Sequence, residues 1–276
     1  MRIVIYTSLV FAFLLSSCRK ANLDSIVNLN RNEISAIGHG GMGISSTYPI
    51  DTYESLTAAI TAGADGVEID VQMSSDSVLV AFHDHDLSTS TSCAGKVNDH
   101  FWESLKECRY VKEVFSVYHI WSLPEIVEYW KAGSSRILVF DCKLIFSDNF
   151  NEFIVTYANK LIELVESVDF GGDILIESQS VAFLQLMKGL QPDYKLFYYP
   201  QSFEEGLAVA KTNDLYGITI ASSKVTKEQI AEAHDNGLRV AVWNVNSRRD
   251  NIEAINKSPD YIQSDQLNGL LRLLQQ

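Results

Sequence analysis

Eight short apolar strand segments begin near residues 34, 66, 137, 174, 195, 216, 238 and 260, and amphipathic helical stretches separate them. Together they predict an α/β fold, a TIM (β/α)8 barrel with a small insertion after its second strand. The length agrees: 276 residues, 46% hydrophobic and 21% charged, suit a barrel of roughly 250 residues with a sizeable core. A doubly wound open sheet is the competing architecture, but no GxGxxG follows the first strand.

Residues 1–17 read as a signal segment outside the fold. Arg2 is a positive start, Ile3 to Leu15 are apolar, and Leu15-Ser16-Ser17-Cys18 resembles a bacterial lipobox, with Cys18 becoming the lipidated first residue. The apolar run is short of the ~20 residues that span a bilayer. The chain is therefore expected to be exported to the cell envelope as a lipoprotein, periplasmic or outer-membrane associated, anchored to the membrane through Cys18. Residues 18–33 are expected as a tether or an initial helix, and 34–276 as the barrel. A formal net charge of -13 argues against nucleic acid, which needs a basic surface. Of the remaining cysteines, Cys93 and Cys108 are the pair that loops would let meet, with their bonding open, and Cys142 sits in an apolar run as a buried thiol.

The first strand, Ile34 to Gly38, runs into the loop His39-Gly40-Gly41-Met42-Gly43, whose glycines permit close approach of a ligand to the backbone. Helical spacing over 51–62 ends at Gly63. The strand Gly66 to Met73 follows, with Glu68 and Asp70 on one face and Val67, Ile69 and Val71 on the other. Two anions on one buried face repel unless a positive group lies between them, and a hard divalent cation with oxygen ligands satisfies both. A solvated edge strand is the bland alternative. Val78 to Phe82 reads as the return arm of a hairpin and delivers His83-Asp84, a histidine beside a carboxylate. The insertion, about 72–120, becomes irregular from residue 87. Ser122 then N-caps a helix whose first turn holds Pro124 and Glu125.

From Ile137 onward strands and helices alternate without interruption. Asp141 and Lys143 share a strand face, with a mutual salt bridge as the simplest reading. His39, Glu68, Asp70, Asp141, Lys143, Glu177, Trp243, Asn246 and Asp265 all fall at or just past strand C-termini, the end of a barrel that carries catalysis. Core hydrogen bonding accounts equally for Glu177, aromatic packing for Trp243, and capping of the last helix for Asp265. His234, near a helix end, suits the helix dipole.

Across essentially all of the mature sequence this order of motifs resembles the glycerophosphodiester phosphodiesterase family. His39-Gly40-Gly41 resembles its His-Arg-Gly, Pro49-Ile50-Asp51-Thr52 its Pro-Glu-Asn-Thr, and 63–71 its Gly-Ala-Asp-x-x-Glu-x-Asp-Val. His83-Asp84, Asp141-Cys142-Lys143, Trp243-Asn244-Val245-Asn246 and Ser264-Asp265 continue the match. The resemblance implies metal-dependent hydrolysis of a small-molecule glycerophosphodiester to an alcohol and sn-glycerol 3-phosphate. It implies His39 and His83 as a general acid/base pair, and Glu68, Asp70 and Asp141 as ligands of Ca²⁺ or Mg²⁺. Lys143 would contact phosphate, Gly40 stands where the family has its phosphate-binding arginine, and Trp243 would wall the substrate site. The chain departs from the pattern in Gly40 for arginine, Ile50 for glutamate and Asp141 for glutamate. Two alternatives remain open on the same barrel, a phospholipase D-like lyase that forms a cyclic phosphate and a non-catalytic surface lipoprotein that binds a phosphorylated ligand.

Overall fold

The strand β2 (Gly66–Met73) is buried along its whole length and sorts its residues by face. Val67, Ile69 and Val71 join the main hydrophobic core against the helices, which turns Glu68 and Asp70 to the interior. The computed structural model describes residues 21–129, 136–168 and 171–275. The expected signal segment 1–17, Cys18 and the start of the tether lie outside the described residues.

Seven further strands run parallel: β1 (Ser35–Gly38), β5 (Ile137–Cys142), β6 (Asp173–Ser178), β7 (Lys195–Tyr198), β8 (Gly217–Ala221), β9 (Arg239–Val245) and β10 (Tyr261–Ser264). β1 pairs with β10 on one side and with β2 on the other, closing an eight-stranded parallel barrel. The return arm is present as β3 (Leu79–Ala81), antiparallel to β2, and β4 (Trp121–Ser122) extends it. Helices α1 (Tyr53–Ala62), α3 (Leu123–Tyr129), α4 (Phe150–Ser167), α5 (Val181–Leu190), α6 (Phe203–Thr212), α7 (Lys227–Asp235), α8 (Arg248–Asn256) and α9 (Leu267–Leu274) follow strands in turn, and the short α2 (Trp102–Leu105) lies in the insertion.

Local chemistry sets the boundaries. The Thr52 side chain accepts from the Ser55 N–H at the start of α1, and Gly63 ends that helix in the left-handed region. Ser122 and Glu125 exchange hydrogen bonds at the start of α3, as expected of a cap. Inside the barrel, Ile37, Val139, Leu175, Phe197, Ala241 and Tyr261 form a closed apolar plug. The plug separates the strand C-terminal end, where the acidic residues gather, from the N-terminal end.

The insertion has a small core of its own, including Val80, Phe82, Leu87, Leu105 and Ile120, and a Cys93–Cys108 disulfide braces it. Cys142 is buried and free, as expected. Residues 21–33 contain no helix. They lie against the strand N-termini, where Asn28 Nδ2 donates to Pro259 O at 2.9 Å and the Leu29 N–H donates to Asp260 Oδ1 at 2.9 Å. His234 lies in the last turn of α7, as expected, and its Nε2 also meets the other Asp260 oxygen at 2.8 Å. The capping reading of Asp265 is corrected. Gln266 holds the N-cap position of α9, and the Asp265 carboxylate turns instead toward His39.

Candidate active site

Strand register assembles the acidic cluster. Asp70 on β2 lies opposite Asp141 on β5, which lies opposite Glu177 on β6, and Glu68 sits one interior position below Asp70. Glu68, Asp70 and Asp141 each offer an oxygen within 4.8 Å of the others. Lys143 Nζ inserts between two of them, 2.8 Å from Asp70 Oδ1 and 2.5 Å from Asp141 Oδ2. The simple Asp141–Lys143 pair read from the sequence is thus a three-membered arrangement.

Burial raises the pKa of Glu68 well above the carboxylate range, and Asp70 adds to the effect. For Asp70 burial acts in the same direction, but Lys143 overrides it and holds the group below the ordinary value. Burial dominates at Asp141, which rises despite Lys143. Lys143 itself is raised because the fields of Asp70 and Asp141 exceed its desolvation. Glu68 Oε1 and Asp70 Oδ2 are buried with no hydrogen-bond partner. The crowded buried carboxylates raise one another against the pull of Lys143 and His39, and the free oxygens are hard donors. The residues fit a hard divalent cation.

His39 extends from the end of β1 over this cluster. Its Nδ1–H donates to Asp265 Oδ1 at 3.1 Å, and its Nε2 lies 3.9 Å from Glu68 Oε2. Burial lowers its pKa, but the Asp265 hydrogen bond and the fields of Glu68 and Asp70 outweigh that and raise it to about 9. His83, on the loop after β3, is exposed, and its Nδ1–H donates to Asp84 Oδ1 at 3.0 Å. The two histidines line one cavity of about 320 Å³.

Gly40 has its N–H on Glu68 Oε2 at 2.9 Å, with φ +53 and its α-carbon against Ile50. A Cβ at position 40 would lie 2.5 Å from the Ile50 Cβ, so the two residues touch one another. The glycines of this loop make room for the chain itself: a Cβ on Gly43 would meet the Asp265 backbone at 2.4 Å. Trp243 packs edge-on against Tyr199 with ring centroids 5.3 Å apart, and its buried Nε1–H has no partner. Glu177 accepts from Gln263 Nε2 at 2.8 Å, the core hydrogen bond foreseen for it, and burial pushes its pKa up to about 8.

Residues 42–267 match the Glycerophosphoryl diester phosphodiesterase family. The chain belongs to that family. It is an enzyme, a phosphoric diester hydrolase of the glycerophosphodiester phosphodiesterase type, as the order of its motifs implied. A glycerophosphodiester phosphodiesterase of Caldanaerobacter subterraneus subsp. tengcongensis is 26% identical over 239 residues, covering 84% of this chain and 95% of its own. Among solved structures, an Oleispira antarctica phosphodiesterase in complex with the product sn-glycerol-3-phosphate has a TM-score of 0.75 at 21% identity, covering 88% of this chain and 97% of its own. A Parabacteroides distasonis glycerophosphodiester phosphodiesterase gives 0.73 at 20% identity, with 88% and 97% covered. These two establish the likeness of fold.

One member of the site escaped the sequence reading, as did the partner of another. Asp51, at the asparagine position of the Pro-Glu-Asn-Thr pattern, is buried under the cluster and accepts from the Asp70 N–H at 3.0 Å. Burial, then Asp70 and Glu68, raise its pKa well above the ordinary range. Its place in the quoted motif was the available signal. Asp265 was singled out by position, but its partner His39 lies 226 residues away.

Proposed function

We propose that this enzyme hydrolyses glycerophosphodiesters to an alcohol and sn-glycerol 3-phosphate by general acid/base catalysis at His39 and His83. The observation that carries the reading is the convergence, in one cleft, of two histidines with three carboxylates and a lysine. Glu68, Asp70 and Asp141 would hold the divalent cation, Ca²⁺ or Mg²⁺. Such a cation, when bound, neutralises the nonbridging oxygens of the phosphodiester and lowers the barrier to attack. Lys143 is poised beside the same position to share the phosphate charge. Asp265 fixes the His39 ring so that Nε2 faces the cleft, and Asp84 orients His83. One imidazole takes the proton of the attacking water, and the other gives a proton to the departing alkoxide.

Each proton transfer is worth about 10²–10⁴-fold. His39→Ala and His83→Ala are therefore each expected to lose at least ~100-fold in glycerol 3-phosphate release, with an unchanged circular dichroism spectrum. Full activity in both folded variants would remove the mechanism. Retention of both histidines and of the carboxylate cluster favours hydrolysis over a binding-only lipoprotein. The same proposal includes attachment to the envelope through a lipid on Cys18.

A further inference from the structure

The two sides of the cleft differ in chemistry. Beyond Lys143 lies a cavity of about 350 Å³ walled by Ser178, Gln179 and Ser180 on one hand and by Leu144, Ile145 and Phe150 on the other. Hydroxyls and an amide beside the phosphate-facing lysine suit the glycerol half of a substrate. The cavity on the histidine side is walled by Ile44, Tyr48, Ile50, Phe82, Val111 and Phe115. Its apolar character has an identifiable origin. Gly40 and Ile50 stand where the family pattern has an arginine and a glutamate, and their contact replaces two charges with a branched aliphatic surface. Tyr110 of the insertion, 7% exposed, closes over that surface. Ile44 is 61% and Val111 56% exposed, and Val114 and Val117 on the same loop are 75% and 76% exposed. Single exposed valines are ordinary, but Ile44 and Val111 line the cavity itself and leave its wall apolar where it opens to solvent. Against a cationic headgroup stands Lys112, a fixed positive charge in the cavity wall, while Asp84 is engaged by His83. The aromatic rings and Asp51 are what such a headgroup could use, which is why glycerophosphocholine is the competitor in the test.

Resting on the phosphodiesterase reading above, we propose that the alcohol half of the substrate is aliphatic: the enzyme prefers glycerophosphodiesters of long-chain alcohols to those of choline or ethanolamine. The chain lies along Ile50, Val111 and Phe115, and the glycerol lies on the Lys143 side. In the reaction the bond between phosphorus and the alkyl oxygen breaks. Water oxygen takes its place on phosphorus, giving sn-glycerol 3-phosphate, and a proton ends on the released alcohol.

The test is glycerol 3-phosphate release from sn-glycerol 3-phosphate esters of ethanol, butanol, hexanol and octanol, beside glycerophosphocholine. Each methylene buried contributes about three- to fourfold, so kcat/KM for the octyl ester is expected to exceed that for the ethyl ester by at least ~100-fold. Phe115→Ser and Ile50→Glu are each expected to reduce the octyl-to-ethyl ratio. A flat or falling series, or glycerophosphocholine as the best substrate, would overturn the proposal. A binding arm needs no turnover: calorimetry with n-octyl phosphate against ethyl phosphate, both below micellar concentration. Tighter octyl binding that weakens in Phe115→Ser supports the apolar subsite even where no ester is cleaved, and in that case the hydrolytic reading alone fails. Octyl binding no tighter than ethyl overturns the subsite whatever the turnover.

Discussion

Gly40→Ala probes the close contact between the loop after β1 and Ile50. The new Cβ lies 2.5 Å from the Ile50 Cβ and 3.0 Å from its Cγ2, well inside van der Waals contact. The backbone at φ +53 adds the cost of a left-handed conformation for a residue with a side chain. That conformation costs about 1 kcal/mol and overpacking of this kind about 2, so the variant is expected to lose about 3 kcal/mol. For a domain of this size that corresponds to a Tm roughly 6–12 °C lower. In an Ile50→Gly background the clashing carbons are gone, and the same substitution should cost only the backbone part, about 1 kcal/mol. The assay is a thermal double-mutant cycle over the four combinations of positions 40 and 50. A coupling of about 2 kcal/mol is expected from contact of this type. Equal costs of Gly40→Ala in both backgrounds would refute the steric reasoning and with it the claim that Gly40 and Ile50 form a unit.

Asp265→Asn keeps an acceptor for the His39 Nδ1–H but removes the charge that strengthens that hydrogen bond and raises the ring, leaving Glu68 and Asp70 alone to oppose burial. In metal-free protein the His39 resonance is expected to titrate near 9 in the parent and at clearly lower pH in the variant. The charged ring therefore persists over a narrower range as pH rises, and an unchanged midpoint would contradict the assigned partner. Cys18→Ser is expected to abolish incorporation of labelled fatty acid and to move the protein from the membrane fraction to the soluble one, whereas membrane retention without label would show another mode of attachment.

The barrel is legible in the sequence because each strand is a short apolar run and each helix has its own periodicity and caps, as with Thr52 and Gly63 around α1. The acidic cluster is legible for the same local reason: alternation puts Glu68 and Asp70 on one face of a strand. What escapes is whatever depends on pairing distant segments. Asp265 stands one residue before the N-cap of α9, so local chemistry suggests a cap, and only barrel closure brings it to His39. Asp51 is an acid at a turn until β2 is laid over it. The Gly40–Ile50 contact joins residues at the end of one strand and the start of one helix, and no periodicity records it. The Cys93–Cys108 bond was permitted by spacing, but the fold of the insertion decided it.

The most direct test of metal-dependent hydrolysis is glycerol 3-phosphate release by protein lacking residues 1–18, after exhaustive chelation and again after adding back Ca²⁺ or Mg²⁺. Release is expected to fall by at least ~100-fold on chelation, the scale of a lost transition-state charge contact, and to return with one of the two ions. The Glu68→Gln/Asp70→Asn variant should not recover. Undiminished release from protein verified to be metal-free would contradict the account.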